Sequence, residues 1–156
     1  MEIAKNFTER LFLSASRALP IPAAEVARNA HGILYLKWHC PCQEIGALWV
    51  SLKPTEITLS CNVAHTHFSS SRYLKLKLTT LQLKRRIVRA AAREVALFLS
   101  GKISVTISYT GAGTKQSSGW CATGQLGSSL VHSRKVFGPD ITQRAWSWNG
   151  PVVQNC

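Results

Sequence analysis

The apolar residues of this chain change period near its middle, and that change limits the folds open to it. From Gly32 to Leu78 they recur largely at every second position, and from Thr79 to Gly101 at every third or fourth. Period two belongs to strands with one buried face, and period 3.6 to an amphipathic helix. Four strands are expected in the first stretch, at residues 33–40, 47–53, 57–67 and 72–78. In the last of these, Leu74, Leu76 and Leu78 face inward and Lys75 and Lys77 outward. The connections between them are short, centred on Cys40-Pro41-Cys42, Pro54-Thr55 and Ser69-Ser70-Ser71. Short connections favour antiparallel neighbours, because a parallel crossover needs a dozen residues or more.

The helical stretch has a start and a stop. Thr79 with Gln82 three residues on makes a capping box, and Gly101 ends the run. Its apolar face comprises Leu81, Val88, Ala91, Ala92, Val95, Phe98 and Leu99. A fifth strand follows at 103–109, where Ile103, Val105, Ile107 and Tyr109 alternate with Ser and Thr. Near the N-terminus a helix over 6–19 is capped by Asn6 with Glu9, and a second short helix over 22–30 follows Pro20 and Pro22. The fold class expected is therefore α+β. It is a largely antiparallel sheet of about five strands, a β-meander, covered by one long basic amphipathic helix, with short N-terminal helices.

At 156 residues the chain suits a single domain spanning 1–156. Residues 111–129 hold five of its ten glycines among many Ser and Thr, and read as a flexible loop. Leu130–Phe137 reads as a short strand, and Trp146, Trp148, Val152 and Val153 are apolar enough to dock on the body. No stretch is long and apolar enough for a transmembrane segment. Glu2 and Glu9 occupy the place of the basic flank that a secretory signal requires. A cytoplasmic protein with its five cysteines as thiols is the expectation.

Charge is distributed unevenly. The chain carries a formal net +12, and residues 72–93 alone carry +8 with no acid. The other 134 residues hold only +4 between them. On the expected helix Arg85, Arg89 and Arg93 recur at i, i+4 and i+8 with Arg86 beside them, while Lys75 and Lys77 sit on the strand before it. Like charges at i, i+4 repel by about 0.2–0.5 kcal/mol per pair. An anionic partner relieves that repulsion, and arginine suits phosphate and carboxylate forks. Lys75, Lys77, Arg85, Arg86, Arg89 and Arg93 are thus the candidate contacts to nucleic acid, to a nucleoprotein, or to an acidic protein surface. The first function expected is a small non-enzymatic protein that contacts nucleic acid or a nucleoprotein. The alternative is a protein-interaction module or stoichiometric inhibitor of a larger protein, possibly one that processes nucleic acid.

A second cluster brings His39, Cys40, Cys42, Cys61, His65 and His67 within 29 residues. His65 and His67 share a strand face, and Cys40 and Cys42 flank Pro41 in a turn. Together these four form a candidate zinc site, with a zinc-binding protein as a further alternative. The one-residue gap between the cysteines is shorter than zinc-ribbon spacing. No catalytic set emerges. Gly111-Ala112-Gly113-Thr114-Lys115 lacks phosphate-loop spacing, His67-Phe68-Ser69 lacks the second half of a two-histidine phosphoesterase signature, and seven acids are few for a carboxylate-built metal centre.

Overall fold

A computed structural model of the chain describes residues 4–152. Three helices, α1 (Phe7–Arg17), α2 (Thr80–Leu99) and α3 (Leu126–Phe137), accompany nine strands. The strands are β1 (Glu25–Arg28), β2 (Leu34–His39), β3 (Ala47–Leu52), β4 (Glu56–Ser60), β5 (His65–Ser69), β6 (Ile103–Tyr109), β7 (Lys115–Ala122), β8 (Thr142–Ser147) and β9 (Gly150–Pro151). They build a five-stranded sheet in the order β1-β2-β3-β4-β5 and a four-stranded sheet in the order β7-β6-β8-β9. The class is α+β, and the five-stranded sheet is an antiparallel meander.

The chain forms two compact units. The first takes residues 1–38, 48–60 and 66–96, and the second takes 39–47, 61–65 and 97–156. In the first, alternate residues of β2 and β4 are buried: Leu34, Leu36 and Trp38, and Ile57 and Leu59. α2 buries Ile87, Val88, Ala91, Ala92 and Val95 at helical spacing. α1, the β3–β4 turn and α2 meet around a small cavity lined by Thr8, Pro54, Leu83, Ile87 and Val88. In the second unit β6 is central, and Phe98 stacks on Trp120 with ring centroids 4.6 Å apart.

Five expectations about elements need correction. Residues 22–30 are not helical but contain β1. The Ala-rich run has helix propensity, yet Asn29 and Gly32 close a tight turn that pairs β1 with β2. Asn29 Oδ1 accepts the N–H groups of His31 and Ile33, and Gly32 adopts φ +74°, which a side chain resists. Residues 57–67 form two strands rather than one, because a turn at Cys61–Ala64 reverses the chain.

The expected strand at 72–78 is absent. Ser70–Tyr73 is a 3₁₀ turn, and residues 74–79 run irregularly into α2. The five-stranded sheet is instead completed by β1, and Leu74, at 80% exposure, is not turned inward. The long helix itself is 20 residues, near its expected span.

Residues 111–129 are not a continuous loop. Gly111–Gly113 make a hairpin turn closed by Thr110 and Thr114, after which the Ser- and Gly-rich segment pairs with β6 as an edge strand. Gly119 packs closely there: a Cβ would lie 2.8 Å from Thr106 Oγ1, so a larger residue needs that side chain to shift. Residues 130–137 belong to α3, where Leu126, Leu130 and Ser133 are buried at helical spacing. Trp146 lies on β8, Trp148 follows it, Val152 follows β9, and Val153 falls outside the described residues.

Candidate anion-binding face of the basic helix

The site is built on α2. Its N-terminus is set by a reciprocal cap in which Gln82 N–H donates to Thr79 Oγ1 at 3.3 Å and Thr79 N–H donates to Gln82 Oε1 at 2.9 Å. This cap fixes the helical phase, so burial of Ile87, Val88, Ala91, Ala92 and Val95 turns Arg85, Arg86, Arg89 and Arg93 outward. All four are exposed. Together with Leu78, Gln82 and Ala90 they line a shallow groove of about 520 Å³. With a rise of about 1.5 Å per residue, Arg85 and Arg93 stand about 12 Å apart along the axis.

Among the described residues no salt bridge joins any of these four arginines to an acid. Arg86 lies over the Tyr73 ring at 6.0 Å, which ties the 3₁₀ turn to the helix. Arg72 is held by Thr66 Oγ1 at 2.8 Å and by the Phe68 ring at 4.5 Å. Lys84 turns away from the stripe, over the Phe7 ring of α1.

Lys75 and Lys77 are exposed, as expected, but they stand on the irregular segment before α2 and not on a sheet face. That segment also presents Leu74 and Leu76, and Leu81, expected on the apolar face of α2, is 44% exposed. The sequence reading missed Leu78 and Gln82 as groove residues. Gln82 stands three, four and seven residues before Arg85, Arg86 and Arg89 on one helical face, which is the signal that finds it, whereas Leu78 precedes the helix and has no such signal.

The four candidate zinc ligands do not come together as one set. His65 and His67 are exposed on β5, while Cys40 and Cys42 occupy the turn after β2. His67 Nδ1 lies 3.2 Å from Thr58 Oγ1 and 3.3 Å from Glu56 Oε1. The Cys40 thiol donates to Trp148 O and that of Cys42 to Glu44 Oε2, each at 3.3 Å. Burial pushes the Cys40 thiol up to about 11 and raises Cys42 and Cys61 as well. These groups are neutral thiols at pH 7, without the electropositive setting a nucleophilic cysteine needs. Among the described residues no three His, Cys, Asp or Glu side chains are grouped closely enough to hold a metal ion.

Comparison of the chain with models of known families, with curated proteins and with solved structures returns no match. Among the described residues no helix is long and apolar enough to cross a membrane.

Proposed function

We propose that the protein acts by binding rather than catalysis, and that the surface of residues 72–93 contacts the phosphates of a nucleic acid or nucleoprotein. The observation that carries this reading is the exposed row Arg85, Arg86, Arg89 and Arg93, which no acid among the described residues neutralises. A solvated helix face gains nothing from concentrating like charges, whereas a polyanion converts their repulsion into affinity through counterion release.

The second reading is a protein-interaction module or inhibitor that docks an acidic surface. It is favoured by Leu74, Leu76 and Leu81, which stand exposed beside the basic row and suit a partly apolar protein contact.

Electrophoretic shifts with generic single- and double-stranded DNA and with RNA separate the two. Binding at low salt that weakens steeply as salt rises supports the first reading, and the absence of any shift at low salt removes it. Changing Arg85, Arg89 and Arg93 together to Glu abolishes the shift while the circular dichroism spectrum stays that of the parent. Unchanged binding by the folded triple variant excludes this helix face as the contact.

A further inference from the structure

We propose that the second unit carries a cleft for a small carboxylate with an apolar body, held by Arg134 and Arg144. The cleft is open to solvent and has a volume of about 490 Å³. Its wall includes Leu130 and Arg134 from α3, Arg144 and Trp146 from β8, Val152, and Glu44 from the turn after β2. It shares no residue with the basic face of α2.

Two features make this an anion site. First, both arginines are exposed and have no salt bridge among the described residues. Second, each is oriented along its stem. Arg134 Nε donates to Ile141 O at 3.1 Å, which directs its terminal nitrogens elsewhere, and the Arg144 guanidinium lies 5.5 Å from the centre of the Tyr109 ring. A guanidinium held in this way gives up little freedom when it binds a planar oxyanion. Beside them Leu130 and Trp146 are buried apart from a thin exposed margin, and Val152 is half-buried. A charged group with an apolar surface next to it is the pattern of a small-molecule site.

Charge selects the class of ligand. Hydrogen bonding to its own backbone N–H and to the Cys42 thiol, the latter at 3.3 Å, holds the Glu44 carboxyl below the usual range, so it is ionised at pH 7. Two guanidinium groups and one carboxylate leave a single positive charge. A monocarboxylate neutralises it, whereas a phosphate monoester, with about −1.5 to −2 at pH 7, overfills it.

The test is titration of the folded chain with phenylacetate, followed at the assigned Trp146 indole resonance in proton–nitrogen spectra. A saturable shift is expected, with affinity at least about tenfold weaker in Arg134→Gln and in Arg144→Gln. Arg134→Lys keeps the charge but loses the bond to Ile141 O and the planar fork, so it binds between the parent and Arg134→Gln. Benzyl alcohol, with the ring but no charge, gives no saturable shift, and phenyl phosphate binds more weakly than phenylacetate. The proposal is overturned by equal binding in the two Gln variants, by equal binding of benzyl alcohol, by tighter binding of phenyl phosphate, or by no saturation below about 10 mM.

Discussion

At the scale of single residues the most consequential pair in the first unit is Glu9 with Arg28. Glu9 is 1% exposed and Arg28 20%, and the guanidinium meets the carboxylate through two bonds, at 2.9 and 2.7 Å. Glu9 also closes the cap of α1, with its N–H on Asn6 Oδ1 at 3.0 Å and its carboxylate on the Asn6 N–H. One side chain thus sets a helix start and fastens it to β1. Glu9→Ala removes the carboxylate half of the capping box and the ion pair with Arg28, and we expect a loss of about 3 kcal/mol in urea unfolding. The Arg28 bond, first among its partners, holds the Glu9 carboxyl below its ordinary value of 4.5. A depressed carboxyl stabilises the fold fully above about pH 4.5, and that contribution is lost as pH falls through the lower folded value. In Glu9→Gln the acid side of the stability curve is therefore flatter than in the parent. An unchanged curve would show that the ion pair contributes nothing. The cap was legible in the sequence, because Asn and Glu three apart before an apolar run state it locally. Arg28 as its partner was not, because that contact depends on residues 25–28 being a strand.

At the scale of elements the sequence spoke most clearly where period and boundary signals agreed. α2 has both, a reciprocal cap at Thr79 and a Gly at 101 with φ +74°, and its span was read closely. The stretch 72–78 has period without boundaries, and its clean alternation satisfied no partner. A strand exists only if a neighbour accepts its hydrogen bonds, which no local pattern records. The reverse error fell on Lys115–Ala122, where a polar, Gly-containing segment is an edge strand because β6 supplies the pairing. The phase of α2 decides its exposed row, so the arginines were found while Leu81, in the first turn, was misassigned. A sharp expectation follows for Arg89. It stands four residues from both Arg85 and Arg93, so Arg89→Glu converts two repulsive pairs into two attractive ones. The variant unfolds at higher temperature, with a gain of about 0.8–2 kcal/mol, while its affinity for nucleic acid falls. If Arg89→Glu destabilises the protein, the row is not held in repulsion and the case for an anionic partner weakens.

At the scale of the whole molecule the charge follows the division into units. The first unit has fourteen basic and five acidic residues, a net +9, and the second has five basic and two acidic, a net +3. The sequence localised the charge to 72–93 but could not show that 111–152 builds a second sheet with its own helix, since that sheet rests on pairings of β6 with segments as distant as Ser147, paired with Ser104. Segregated charge has a measurable consequence. A phosphate contact made by four to six of the residues Lys75, Lys77, Arg85, Arg86, Arg89 and Arg93 gives a plot of log affinity against log salt with a slope of about −3.6 to −5.4 on duplex DNA. Between 50 and 200 mM salt the affinity then falls by about 10² to 10³. Substituting Lys75 or Lys77 by Gln lowers the slope by about one each. Substituting Arg134 or Arg144 leaves it unchanged, because those groups serve a different unit and a different ligand. A slope that stays near its parent value in the Lys variants shows that the irregular segment before α2 does not touch the phosphates. The exposed Leu74 and Leu76 beside those lysines then become the reason that segment is presented at all, and a protein surface replaces nucleic acid as the partner it fits.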